Sequence, residues 1–118
     1  MKVPSTFTAF RIFKQNERIE GRLVRTSIDE LSAGEIVLKT DYSSINYKDA
    51  LAATGAGKIL QRFPLVGGID AAGTVVSSAD ERYQAGNKVL VTGHDLGVSV
   101  DGGFSEYVRV PADWIVPV

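Results

Sequence analysis

The sequence predicts a mainly β domain with short helices, closed as a barrel or a sandwich. Three observations carry this. Short runs rich in aromatic and β-branched residues recur along the chain, the best of them alternating with a period of two. Glycine-rich or polar turns separate them at close spacing. One short stretch, Tyr47 to Ala53, gathers good helix formers behind a capping residue. The chain has 118 residues, 44% hydrophobic and 23% charged, which fits a single domain, residues 1–118, with one core.

The elements follow in order. Phe7, Ala9, Arg11 and Phe13 alternate with Thr8, Phe10 and Ile12 in a first strand. Gly21 to Ile28 is a weaker second one. Leu31 to Glu35 is turn-rich and leads into Ile36 to Tyr42. There Ile36, Leu38, Thr40 and Tyr42 should share one face, and Val37, Lys39 and Asp41 the other. Ser43 to Asn46 breaks the pattern. A helix of about two turns follows, with Gly55 as its stop. A glycine-rich and basic loop runs from Gly55 to Pro64. Strands are predicted at Ile69 to Ser77, Lys88 to Thr92 and Phe104 to Val110, with a loop from Gly93 to Gly103, and Trp114 to Val116 closes the chain.

Composition excludes several function classes. The net charge is −1, from 13 basic and 14 acidic residues, and no basic stripe stands out, so nucleic-acid binding is not expected. No run approaches the roughly 20 apolar residues of a membrane span, so no membrane association is expected. Met1 to Thr6 has no apolar stretch of the signal-peptide kind. The chain has no cysteine, which rules out disulfides, thiolate metal sites and a cysteine nucleophile. That composition suits a reducing cytoplasm, the expected location.

Several motifs are weighed and set aside. Gly55-Ala56-Gly57 follows a helix and has Leu60 where a dinucleotide turn needs its third glycine, so a loop is expected. Gly68 and Gly73 have phosphate-loop spacing, but Thr74 stands where the lysine must follow; a strand with close backbone approach fits better. His94, the one histidine, sits beside Asp95 in a glycine-rich loop and is expected to structure that loop or face solvent. With no thiolate, one imidazole and no calcium-loop spacing, no metal is expected.

Asn46-Tyr47-Lys48-Asp49 is the most informative local feature. It puts an amide, a hydroxyl, an ammonium and a carboxylate at the mouth of a helix. Free N–H groups there suit an anion or a developing oxyanion. The same residues also read as plain capping: Asn46 as cap, Asp49 closing a box three residues on, Tyr47 packed on the core. The residues alone leave both readings open.

One ordered series goes further. It comprises Ser44-Ile45-Asn46-Tyr47-Lys48-Asp49-Ala50-Leu51-Ala52, Thr54-Gly55, Gly57-Lys58-Ile59, Phe63-Pro64 and Gly68-Ile69-Asp70-Ala71-Ala72-Gly73-Thr74-Val75. Ala85 to Val89, Asp101 to Tyr107 and Val110 to Val116 continue it. The series resembles the N-terminal region of the medium-chain dehydrogenase/reductase superfamily, nearest to its zinc-independent acryloyl-CoA reductase and quinone oxidoreductase branch. The resemblance implies a GroES-like, partly open β-barrel serving as catalytic domain. It also implies a following Rossmann domain that holds most of an NADPH cofactor. That domain is expected to be absent here, the chain being a fragment expected to be inactive alone. Zinc-dependent relatives place a cysteine where this chain has Asn46 and a His-Glu pair where it has Ile69-Asp70, so the resemblance implies no zinc. Gly67-Gly68, where a proline often precedes the Gly-x-Asp stretch, and Asn87, where aspartate is common, depart from the pattern without touching the chemistry.

The implied reaction is hydride transfer to an α,β-unsaturated carbonyl such as an enoyl-CoA, or to a quinone. Tyr47 is expected to lie against the nicotinamide and donate its hydroxyl, and Asn46 to orient cofactor or carbonyl. Asp49 is expected to fix the helix start or take part in catalysis, while Lys48 is either a donor or a solvated charge. Lys58 and Arg62 are expected either to meet phosphates of a CoA thioester or to be solvated charges. A homodimer is expected of a full-length form. The competing reading is a non-enzymatic GroES-like binding or assembly module.

Overall fold

A computed structural model describes residues 3–55 and 58–118; Ala56 and Gly57 of the expected loop lie outside the described residues. The chain opens with a hairpin. β1 (Phe7–Gln15) and β2 (Arg18–Thr26) pair antiparallel in an unbroken register, from Phe7 opposite Thr26 to Gln15 opposite Arg18. Asn16 and Glu17 turn the corner with φ of 51° and 66°. Two consecutive left-handed residues match the right-handed twist of the arms. β2 thus starts earlier than Gly21. Arg18, Glu20 and Arg22 share its solvent face, and Gly21 leaves a gap in the apolar face between Ile19 and Leu23. It also ends earlier: Ile28–Glu30 is a 3-10 turn, closed by the Glu30 carboxylate accepting from the Ser27 N–H at 3.2 Å.

β3 (Ile36–Tyr42) falls where the alternation places it, but the faces do not hold. Register shifts against the next long strand occur between Val37 and Leu38 and between Thr40 and Tyr42. Ile36, Val37 and Leu38 are all buried, and Tyr42 is 78% exposed. A bulge adds a residue on one strand and re-aims the side chains beyond it. Helix α1 (Tyr47–Thr54) follows, with Asn46 as cap and Gly55 ending it at φ 76°. β4 is only Leu65–Val66, too short to leave a periodic signal. β5 (Asp70–Ser78) and β6 (Lys88–Thr92) match their predicted places within a residue.

The last predicted strand is shorter than expected, and its first part does something else. β7 covers only Tyr107–Val110. The Phe104 carbonyl accepts from Phe10 N–H at 2.7 Å, Glu106 N–H donates to Thr8 C=O at 3.0 Å, and Thr40 N–H donates to Glu106 C=O at 2.9 Å. Residues 104–106 therefore cross from one sheet to the other. Trp114 ends a 3-10 turn (Ala112–Trp114), and β8 is Val116–Pro117.

The described strands form two sheets, ordered β2-β1-β4 and β7-β3-β5-β6-β8. The larger sheet closes over Ile36, Leu38, Val75, Val89, Val91, Val108 and Val110, joined by Leu96 from the predicted loop. The smaller encloses Phe7, Ala9, Leu31 and Val66. The sheets are bridged at the 104–106 corner and, among the described residues, stay two separate sheets rather than one closed barrel, so the mainly β, partly open barrel stands as predicted. Among the described residues no helix is long and apolar enough to cross a membrane.

Candidate functional site

The site is built where β3 runs into α1. The chain leaves Tyr42 exposed, passes Ser43 and Ser44, and enters the helix at Asn46. Asp49, the third helical residue, is 4% exposed yet carries a carboxylate. Burial of such a group is tolerated only when its oxygens are hydrogen-bonded. Its Oδ2 accepts from Asn46 N–H at 2.9 Å and from Asn46 Nδ2 at 3.1 Å. Its Oδ1 accepts from Ile69 N–H at 3.0 Å, which ties the helix to the strand entering β5.

The next residue on that strand, Asp70, completes the cluster. Its Oδ2 accepts from Asn46 Nδ2 at 3.1 Å and from the Ser44 hydroxyl. Its Oδ1 accepts from Ser44 N–H at 2.8 Å, and its backbone carbonyl from the Ser43 hydroxyl at 2.9 Å. Burial pushes the Asp70 carboxyl up, but donation from Ser44 and Asn46 outweighs it and holds the group below its usual range. Asp70 is therefore an anion at neutral pH. One amide nitrogen is thus bound between two carboxylates, from the helix and from the sheet. The sequence alone gives Asp70 no part in this cluster and the serines only an alternative place as helix cap; pairs 24 and 26 residues apart leave no local signal.

Tyr47 does not pack on the core, contrary to the capping reading's expectation. It is 80% exposed, and Ile45 beside it is 85% exposed. The capping part of that reading does hold for Asn46 and Asp49. Two open hollows flank this segment, one reached by Tyr42, Ser43 and Ser44 and the other by Ile45, Asp49 and Ala50; Asn46, Tyr47 and Lys48 line neither. One, of about 290 Å³, takes Tyr42, Ser43, Ser44 and Asp70 as its polar wall and Leu90 and Thr92 opposite. The other, of about 320 Å³, is apolar, between Ile45, Ala50 and Ala53 of the helix side and Phe10 and Phe104 of the sheet. Both lie at the lower end of small-ligand pocket sizes.

Lys48 and Lys58 are exposed. Arg62 is not a free charge. Its Nε donates to Ser99 C=O at 2.6 Å, its Nη2 to Ser32 Oγ at 2.7 Å, and Asp101 Oδ2 lies 3.6 Å away. Asp101, 4% exposed, also accepts from Ser32 N–H and Val66 N–H at 2.9 and 2.8 Å. Among the described residues no hydrogen bond joins Arg62 to the Asn46 cluster. His94 stacks on Trp114 with ring centroids 5.3 Å apart, a loop-structuring contact. Among the described residues no three His, Cys, Asp or Glu side chains are grouped to hold a metal ion.

Residues 32–118 match the alcohol dehydrogenase GroES-like domain model. "Putative quinone oxidoreductase YhfP" of Bacillus subtilis is 46% identical over 112 residues, 95% of this chain and 34% of that protein. Its crystal structure with NAD bound superposes with a TM-score of 0.92 at 45% identity, covering 97% of this chain and 35% of that one. Acrylyl-CoA reductase AcuI of Ruegeria pomeroyi is 40% identical over 114 residues, again 95% of this chain and 34% of the relative. The yhdH oxidoreductase of Salmonella enterica, solved with NADP, gives a TM-score of 0.90 at 42% identity, covering 93% of this chain and 34% of that one. The chain spans about a third of the length of these relatives.

Proposed function

The chain belongs to the alcohol dehydrogenase GroES-like domain family, and from that membership we propose that it is the substrate-side domain of an NADPH-dependent reductase working without zinc. The acceptor is an α,β-unsaturated carbonyl, an enoyl-CoA thioester such as acryloyl-CoA, or a quinone. The observation that carries this reading is the Asn46 amide bound between Asp49 and Asp70, with the Tyr47 side chain standing exposed beside it. The names of AcuI and YhfP supply the two acceptor classes.

Zinc needs thiolate, imidazole or carboxylate ligands in a tetrahedral set. At this place the chain offers an amide N–H₂ already given to both carboxylates, and the aliphatic Ile69. These donors do not fit the ion. A nicotinamide is the group this reading places here: Tyr42 offers an exposed aromatic face at one hollow, Ser44 and Asp70 supply polar atoms in its wall, and Tyr47 stands exposed on the same segment. When bound, the reduced cofactor supplies the hydride.

The chain's own residues hold and polarise the acceptor. Negative charge gathers on the carbonyl oxygen as the β-carbon is reduced, and a placed donor lowers that barrier. Tyr47 is the proposed donor. Asn46 orients carbonyl or cofactor through the segment it fixes, and Asp49 holds the helix start from which both project. A side chain or water then delivers a proton to the α-carbon. Exposed Lys58 is the residue placed to meet a phosphate of a CoA thioester, whereas Arg62 is engaged in holding its own loop.

NADPH titrated into the isolated chain and followed by NMR tests the division of labour. Shifts should centre on residues 42–48, with affinity weaker than about 1 mM. Micromolar affinity, or shifts confined to other surfaces, would contradict it. In the two-domain enzyme this reading implies, Tyr47→Phe should lower kcat/KM for an enoyl thioester about tenfold or more. A change within about twofold would rule out the hydroxyl's participation.

A further inference from the structure

We propose that the outer edge of β2 is a self-pairing surface through which two copies of this chain associate. β2 is the terminal strand of its sheet, hydrogen-bonded to β1 on one side only. Among the described residues no backbone hydrogen bond reaches Arg18–Thr26 from the other side. The outward backbone groups of this nine-residue strand are a template for another strand, while helix α1 packs near its start, with Gly55 against Ile19. Proteins usually blunt such edges with charge, and β2 does carry charges, but they are arranged in a complementary order.

The centre of the strand reads Ile19-Glu20-Gly21-Arg22-Leu23: apolar, acid, glycine, base, apolar. Antiparallel pairing about a two-fold axis through Gly21 sets Ile19 of one copy opposite Leu23 of the other and Glu20 opposite Arg22, each pair occurring twice. Side chains alternate across a strand, so the apolar pairs fall on one face and the ion pairs on the other. Moving the axis to Glu20 or to Arg22 sets like charges face to face, which selects this register. Leu23 is 75% exposed in the single copy. Neither Glu20 nor Arg22 has an ion-pair partner among the described residues; the Arg22 guanidinium lies 4.2 Å from the centre of the Phe13 ring. At the axis, Gly21 leaves room that the Phe10 ring fills, since an added Cβ would stand 2.2 Å from Phe10 Cζ.

Sedimentation velocity on the chain from about 10 μM to 1 mM at low salt should show a concentration-dependent dimer. Glu20→Arg and Arg22→Glu should each raise the dimer Kd about tenfold or more, because each sets two like-charge pairs across the axis. The double variant, and an equimolar mixture of the two singles, should return it to within about threefold of the original. Both positions are exposed, so circular dichroism should report an unchanged fold. Amides of residues 18–24 should exchange more slowly at the high concentration than at the low. A chain monomeric throughout, a ring larger than a dimer, or a dimer indifferent to the single reversals would each overturn the proposal.

Discussion

Asp49 is the residue on which the site hangs. It is buried, and its two oxygens hold three N–H groups from the helix cap and from the strand entering β5. Removing a partner from a buried hydrogen-bonded group costs the desolvation of what is left unpaired. Asp49→Ala should therefore destabilise the chain by about 2–3 kcal/mol in urea unfolding. Asp49→Asn keeps the shape but must point its own N–H₂ at donors, and should recover little. His94 and Trp114 give a spectroscopic handle at the same scale. The chain has one tryptophan, stacked on that imidazole. His94→Ala should change the intensity of its fluorescence while leaving the circular dichroism unchanged.

At the scale of elements, turns and corners decide geometry that strands alone do not. Gly103 precedes the corner that passes from one sheet to the other. A Cβ there would meet the Asp70 carbonyl at 1.9 Å and the Ser43 hydroxyl at 3.0 Å. Gly103→Ala should push Asp70 out of place and cost about 1–3 kcal/mol, read as a drop in Tm. The β1–β2 hairpin allows a change in the other direction. Glu17 holds φ 66° at the second turn position, where glycine is free of strain. Glu17→Gly should stabilise the hairpin by about 1 kcal/mol. Gly73 works differently, since a Cβ would stand 2.1 Å from the Lys39 carbonyl. This is the close backbone approach that the strand reading of the Gly68–Gly73 stretch anticipates.

For the whole molecule, the acid side of the stability curve follows from a few carboxylates. Hydrogen bonds from Arg82 lower the Asp80 carboxyl to about 2. Asp70 is lowered by donation from Ser44 and Asn46 against the opposing effect of burial, and Glu30 is lowered first of all by the Thr26 hydroxyl. A carboxyl with its folded-state value depressed adds stability above its unfolded value, near 3.9 for aspartate. It loses that contribution as pH falls through the folded value. The chain should therefore hold its stability down to about pH 4 and lose it progressively toward pH 2, and Asp80→Asn should flatten that slope.

The mainly β class was legible because β1, β3, β5 and β6 carry their burial in local alternation or unbroken apolar runs, and α1 in its cap and stop, while the partly open barrel was implied by the family resemblance. The Asn46–Asp49 box was legible for the same reason: its partners are three residues apart. By itself the sequence determined the longer strands β1, β3, β5 and β6, the helix mouth and the family series. Only the tertiary structure decided that Asp70 and Ser44 join Asn46, that Tyr47 faces outward, that Arg62 is spent on Ser32 and Ser99, and that Tyr42 leaves its expected face. Hydrogen bonds between segments some 24 to 69 residues apart, and a bulge set by the register of a neighbouring strand, depend on where the sheets meet. Periodicity along one segment does not encode that meeting.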